Sequence, residues 1–198
     1  TREDKRDWKA RIITISSGRL SYHDVPQYMG PHEMDPYAKF DDKKELINPI
    51  FDVVVLQGMS SEPIAAKSIP TFKKYLKEHV ETIKAKGAQP IVVVTWARQD
   101  KPEDPKRLAD SIISEANANG AIALPVGLAF AESLKRRPDL LMHQKDKSHP
   151  TAAGSYLYGA MLYGLLFKKS PVGMKYPGEC EKPLKPEDAK HLQQVAWD

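Results

Sequence analysis

The sequence predicts an α/β fold in which a mostly parallel sheet is covered by helices on both faces. Two observations support this prediction: short apolar runs alternate with amphipathic runs along the chain, and the apolar runs are continuous. Continuous apolar strands are typical of parallel sheets that are buried on both faces, and the alternation is typical of their helical crossovers. The length of 198 residues suits a single domain over residues 1–198, with a tail over residues 170–198 that contains a short helix.

The predicted strands are short and rich in β-branched residues: ARIITIS (10–16), FDVVVLQ (51–57), QPIVVVTWA (89–97) and AIALPVG (121–127). The predicted helices place apolar residues at helical spacing: 68–87, 104–120, 128–137 and 149–169. Between the first two strands, residues 17–42 are rich in Pro, Gly and Asp, which predicts a long irregular loop. Loops of this length are uncommon unless they serve binding or catalysis.

Composition and charge exclude several classes of function. The net charge is +4, but Lys and Arg are interspersed with acidic residues, so no nucleic-acid-binding face is predicted. A membrane-spanning helix needs about 18 apolar residues, and no apolar run in the sequence is that long. No glycine-rich phosphate loop is present, so no nucleotide and no other cofactor is expected. Cys180 is the single cysteine and cannot form an internal disulfide.

Polar residues that directly follow the predicted strands are the first candidates for a site. Ligands of parallel α/β sheets bind beyond the carboxyl ends of the strands. The residues in that position are Gly18 with its neighbouring serines, residues 57–61, and residues 96–100. Asp146 and His149 directly precede the last long helix, a position from which they can reach the same edge of the sheet.

Asp146 and His149 have the residue types and the spacing of a catalytic pair. A histidine acts as a general base when a carboxylate holds its tautomer and stabilises the imidazolium. Two residues three apart in a turn can converge on one site. The alternative is that Asp146 caps a turn and that His149 is a surface residue at a helix N-terminus. A metal site formed by both residues with His143 is disfavoured, because no further ligand cluster is present.

Four blocks of the sequence resemble those of the SGNH (GDSL-type) hydrolases, in the same order. DKSHPTAAGSYLYGAMLYGLLF resembles the last block, Asp-x-x-His followed by Pro and a helix of small residues. FDVVVLQGMSSEP resembles the third block, and ISSGRLSYH the second. PIVVVTWARQDKPED resembles the Thr-Trp-Ala-Arg segment of one bacterial branch. The resemblance covers about residues 10–198.

The resemblance implies a three-layer, flavodoxin-like SGNH-hydrolase fold and a serine esterase, acting on an ester such as an acetylated carbohydrate. His149 would be the base and Asp146 its orienting carboxylate. Gly18 would supply an oxyanion donor together with Gln57 or Ser60, and Ser60, Trp96 and Arg98 would line the substrate site. By resemblance alone, a secreted or periplasmic location is favoured. No metal and no cofactor are implied.

The sequence departs from the family pattern in two places. The family's first block, a strand ending in Gly-Asp-Ser or Gly-Asn-Ser, is absent, so the nucleophilic Ser is not in this sequence. The alternative nucleophiles within the sequence are Ser16 or Ser17 and, less favoured, Ser60 or Ser61. Met59 occupies the position of the family's oxyanion Asn. Either an upstream fragment or a second chain supplies the first strand, or residues 10–16 pair directly with residues 51–57 in a non-catalytic binding or structural relative.

Overall fold

The structure is a computed structural model that describes residues 9–30, 41–44, 48–176 and 183–198. The chain divides into two compact units. The sheet unit comprises Ser17–Thr95 and Glu103–Pro125, and the helical unit comprises the residues up to Ser16, Trp96–Pro102 and Val126–Asp198. The part of the predicted loop over residues 31–40 lies outside the described residues, as does Cys180.

The sheet unit contains a parallel sheet of three strands. The strands are β1 (Val53–Leu56), β2 (Gln89–Val93) and β3 (Ile122–Leu124), in the order β1-β2-β3. Val92 of the central strand pairs with Leu56 on one side and with Ala123 on the other. Strand β2 is buried over its last four residues, as its continuous apolar run predicts. The α/β fold class and the parallel sheet are therefore confirmed.

The helices of the sheet unit are α1 (Val25–Tyr28), α2 (Ile69–Ala85) and α3 (Asp104–Ala118). A turn of 3-10 helix, Leu20–Tyr22, precedes α1. Leu76, Val80 and Ile83 of α2 recur at helical spacing and are fully buried in the core that covers the sheet. Two of the predicted helices, 68–87 and 104–120, are thus present with shorter bounds.

The helical unit is built on α4 (Val126–Arg136), α5 (Ala152–Phe167) and α6 (Pro186–Trp197), which all contact one another. Thr151 caps α5, because its side chain accepts a hydrogen bond from the Gly154 N–H at 3.4 Å. The helix ends at Lys168, which adopts the left-handed conformation with a φ of 51°. The predicted helices at 128–137 and 149–169, and the short helix in the tail, are present.

The predicted strand over residues 10–16 is wrong. Residues 9–15 have no regular secondary structure, and Ile12 is 83% exposed. These residues belong to the helical unit, whose described part contains no strand beyond the isolated bridge between His143 and Pro150. A β-branched run forms a strand only where a neighbouring strand supplies hydrogen bonds and a surface for packing. Within the described residues, β1 pairs only with β2, so residues 11–15 do not pair with it.

Within the part of the chain that the structure describes, no helix has the length and apolarity needed to cross a membrane.

Candidate active site

The side chains of Asp146 and His149 form a hydrogen-bonded pair in the helical unit. The His149 Nδ1 atom contacts the Asp146 Oδ2 atom. The other carboxylate oxygen, Oδ1, accepts hydrogen bonds from the backbone N–H of Ser148 at 2.9 Å and of His149 at 3.0 Å. The three-residue spacing allows this geometry, since an Asp side chain readily bonds to backbone N–H groups two and three residues later. Both readings of the spacing hold together: Asp146 caps the turn and also contacts the imidazole.

These contacts stabilise the ionised form of Asp146. The hydrogen bond from His149, followed by the two backbone N–H groups, holds the pKa of the Asp146 carboxyl far below its usual range. A carboxylate acceptor requires that Nδ1 carries the proton of the neutral imidazole, which leaves a lone pair on Nε2. The His149 side chain is 73% exposed, and among the described residues Nε2 has no hydrogen-bond partner. The pair therefore presents a proton acceptor to the surface.

The loop that carries the pair, which we call the dyad loop (residues 143–150), is held by its own hydrogen bonds. The Gln144 N–H donates to the His149 carbonyl at 2.8 Å, and the Gln144 side chain donates to the Pro150 carbonyl at 2.9 Å. The Lys147 N–H donates to the Gln144 carbonyl at 2.9 Å. These bonds close the loop at its base, where His143 and Pro150 form an antiparallel bridge.

Trp96 and Arg98, the predicted substrate-binding residues of the helical unit, contact the dyad loop. The Trp96 indole N–H donates to the Ser148 carbonyl at 2.8 Å, and the Arg98 Nη2 donates to the Asp146 carbonyl at 3.3 Å. Arg98 also forms an ion pair with Asp100 at 3.1 Å. The structure therefore brings both residues together with the pair, while their contact with a substrate stays a prediction.

The other predicted site residues, Gly18, Gln57 and Ser60, belong to the sheet unit. Gln57 is exposed directly after β1, and its side-chain amide has no hydrogen-bond partner among the described residues. Gly18 and Ser60 are half-buried. Met59 lines a small cavity of about 10 Å³ and offers no hydrogen-bond donor there. The oxyanion and substrate-binding roles of Gly18, Gln57 and Ser60 stay predictions.

The sheet unit also contains a buried carboxyl group that sequence reasoning missed. Glu62 is fully buried; its Oε2 accepts the Leu20 N–H at 3.3 Å, and its Oε1 has no partner among the described residues. Burial raises the pKa of the Glu62 carboxyl, although the Leu20 N–H and the charge of Arg19 partly oppose this rise. The Leu20 carbonyl accepts a hydrogen bond from His79 Nε2 at 2.8 Å. No local signal reveals these contacts, because 42 residues separate Glu62 from Leu20.

No metal site accompanies the pair in the described residues. No group of three or more His, Cys, Asp and Glu side chains there could share an ion. The imidazole of His143 donates from Nε2 to the Ala97 carbonyl at 2.9 Å. A groove of about 470 Å³ lies in the sheet unit between the surface lysines Lys77 and Lys84, and its lining holds no nucleophile paired with a base.

Comparison with known proteins shows the fold but no function. No family model matches the chain, and no curated protein matches it. A solved structure, a DUF4886 family protein from Bacteroides uniformis, superposes with a TM-score of 0.66 at 17% sequence identity. The match covers 92% of this chain and 79% of that one. At this identity the similarity supports the compact α/β fold alone, and the description of that protein names no activity.

Proposed function

We propose that this chain is a hydrolase domain of the SGNH type and that His149 and Asp146 supply the base and the orienting carboxylate of an esterase. One observation carries the proposal: an Asp carboxylate, fixed by two backbone N–H groups, accepts the Nδ1 proton of a histidine whose Nε2 is exposed. This is the arrangement that activates a hydroxyl nucleophile in serine hydrolases.

In the proposed reaction, His149 Nε2 takes the proton of a serine hydroxyl as its oxygen attacks the carbonyl carbon of an ester. The bond from that carbon to the alkoxy oxygen then breaks, and the imidazolium returns the proton to the leaving alcohol. Water then attacks the acyl carbon while His149 takes its proton. The bond from that carbon to the serine oxygen breaks, and the imidazolium returns the proton to the serine. Asp146 stays ionised throughout and stabilises the imidazolium, in agreement with its lowered pKa.

The nucleophile is the missing component. No serine hydroxyl in the described residues forms a hydrogen bond with His149, and Ser133, which is fully buried, bonds instead to His191 at 3.1 Å. We propose that the serine comes from a segment outside this sequence, either upstream or on a second chain. The family's first block, which carries this serine, is absent from the sequence, and this absence favours the proposal.

We propose a short acyl group, such as the acetyl of an acetylated carbohydrate, as the group transferred. The pair lies on an exposed part of its loop, where 73% of the His149 side chain and 47% of the Asp146 side chain are exposed. A long acyl chain needs a concave apolar pocket, whereas an acetyl group does not.

A non-catalytic binding protein is the second candidate, and Met59 is the observation that favours it. A thioether lies where the family has an amide donor, so the oxyanion would lose one hydrogen bond. Removing a single such donor from an esterase typically costs about 10²–10³ in rate. In this alternative the exposed pair and its loop bind a glycan without turnover.

Labelling with a fluorophosphonate, which reacts with activated serines, tests the proposal. The product of the whole reading frame should be labelled on a serine outside residues 1–198, and His149→Ala should abolish the labelling. His23→Ala is the matched control, because His23 is a half-buried histidine in the sheet unit. Labelling that persists in His149→Ala contradicts the proposed base, and an absence of labelling in the whole product favours the binding protein.

A further inference from the structure

The dyad loop has a backbone that its own sequence does not favour. Lys147, between Asp146 and His149, has a φ of 61°. This left-handed conformation is uncommon for residues other than Gly, Asn and Asp, because the Cβ atom crowds the following carbonyl. A lysine stays in it only where surrounding contacts hold it. Residues 144–147 of the loop are also exposed, so their packing supplies little restraint.

In addition to the loop's own hydrogen bonds, one short segment, Trp96–Gln99, restrains it. Three consecutive carbonyls of the loop accept hydrogen bonds from it: Asp146 from Arg98 at 3.3 Å, Lys147 from the Gln99 N–H at 2.8 Å, and Ser148 from the Trp96 indole at 2.8 Å. These are the three residues that precede His149. The segment therefore fixes the backbone from which both side chains of the pair project.

Trp96 is itself packed against other aromatic rings. Its ring stacks on Phe130 with the centroids 4.8 Å apart and the planes at 12°. Phe130 in turn meets the ring of His143 edge-on at 5.7 Å, and His143 donates to the Ala97 carbonyl at 2.9 Å. Phe130 and His143 are buried. The rings of Trp96, Phe130 and His143, which we call the aromatic column, thus direct the indole N–H toward the loop. His143 joins this column to the backbone at Ala97, the residue after Trp96.

We propose that Trp96 is the main positioning residue of the Asp146–His149 pair, assisted by Arg98. Its indole N–H holds the Ser148 carbonyl, so that the adjacent N–H groups of Ser148 and His149 stay directed at the Asp146 carboxylate. This inference deepens the proposed function, and only its catalytic consequence rests on that function. The positioning is measured without turnover, through the tautomer of His149.

Trp96→Phe is the primary test, because it keeps an aromatic ring to stack on Phe130 and removes only the indole donor. Two-dimensional ¹⁵N spectra of the imidazole, recorded at alkaline pH, report the ratio of Nδ1–H to Nε2–H tautomers. The wild type should be mainly in the Nδ1–H form. Trp96→Phe should lower the ratio about five-fold, the effect of losing one hydrogen bond. Trp197→Phe is the control, since Trp197 is 51% exposed on α6.

A second variant covers the case in which Trp96→Phe fails to fold. Arg98→Met keeps the aliphatic stem of an exposed side chain and removes its donors, and Lys101→Met is the charge-matched control. Arg98→Met should shift the tautomer ratio in the same direction, by less than Trp96→Phe. An unchanged ratio in folded Trp96→Phe, or in Arg98→Met where the first variant does not fold, overturns the inference. A shifted ratio, together with a whole-reading-frame product that has no esterase activity, supports the positioning and contradicts the hydrolase.

Discussion

Asp146 and Glu62 are carboxyl groups in opposite surroundings. The Asp146 side chain is 47% exposed, yet both of its oxygens have partners: two backbone N–H groups on one, and His149 on the other. Glu62 is fully buried, yet it accepts one hydrogen bond from Leu20, and its second oxygen has no partner among the described residues.

The two environments move the two pKa values in opposite directions. Hydrogen bonds lower the pKa of Asp146, whereas burial raises the pKa of Glu62. The exposed carboxylate is thus kept charged beside a histidine, as general-base catalysis requires, and the buried one is pushed toward its neutral form. The pKa of each carboxyl group in this pair therefore depends on the hydrogen-bond donors around it as well as on its exposure.

The largest effect should come from removing His149, the proposed base that contacts the Asp146 carboxylate. If the protein hydrolyses esters, His149→Ala should reduce kcat/KM by about 10² or more, because proton transfer in the transition state is lost. Steady-state assays with an acetylated sugar measure this change, with circular dichroism to check the fold. An equal loss in the control His23→Ala, or full activity in His149→Ala, contradicts the assigned role.

The next largest effect concerns the aromatic column that supports the dyad loop. A Cβ atom on Gly154 would lie 2.6 Å from Phe130 Cζ and 2.9 Å from the Met142 carbonyl. Gly154→Ala should therefore lower the free energy of unfolding by about 1–3 kcal/mol, the usual cost of overpacking.

Gly159, in the same helix, is the matched control for this substitution. A Cβ atom there meets nothing within 4 Å, so Gly159→Ala should stabilise the protein by about 0.5–1 kcal/mol through helix propensity. Urea unfolding of both variants provides the comparison. Two variants of equal stability would show that the column is not packed as described.

Glu62→Gln tests whether burial raises the pKa of the Glu62 carboxyl. Because the folded-state pKa of Glu62 is raised above its unfolded value, its stabilising contribution is complete below the unfolded pKa of 4.5 and is lost as the pH rises through the folded pKa. Glutamine can still accept the Leu20 N–H and has no charge to bury. The variant should gain about 1 kcal/mol over the wild type at pH 8, and this gain should vanish near pH 4.

Thermal unfolding across this pH range measures the difference between Glu62→Gln and the wild type. Glu78→Gln is the control, because Glu78 is exposed on α2. A gain that does not change with pH would mean that Glu62 is ionised equally in the folded and unfolded states.

Asp146→Asn should have the smallest effect on stability and the opposite pH dependence. The folded-state pKa of Asp146 is lowered, so its contribution is present above the ordinary Asp pKa of 3.8 and is lost as the pH falls through the folded value. The melting temperature of the wild type should exceed that of Asp146→Asn at pH 7, and the two should converge below pH 3. Asp110→Asn, at an exposed position on α3, is the control. A constant difference down to acid pH contradicts the pairing.

The sequence predicts those features whose causes are local. The helical spacing of Leu76, Val80 and Ile83 predicts α2, and the interval between Asp146 and His149 predicts their contact, because all the groups involved lie within a few residues. The Trp96–Ser148 bond, with a separation of 52 residues, has no local signal. Residues 10–16 show the converse error, since their β-branched pattern favours a strand but the described helical unit offers no strand to pair with.

The ¹³C chemical shift of the Asp146 carboxyl carbon, followed against pH in the folded protein, tests the preformed pair most directly. The account predicts that Asp146 shows no titration step near the ordinary Asp pKa of 3.8, because His149 and two backbone N–H groups hold its pKa lower. In His149→Ala, which removes the largest of these contributions, the step should move up toward the ordinary value. A step at the ordinary value in the wild type, unchanged in His149→Ala, would contradict the existence of the pair.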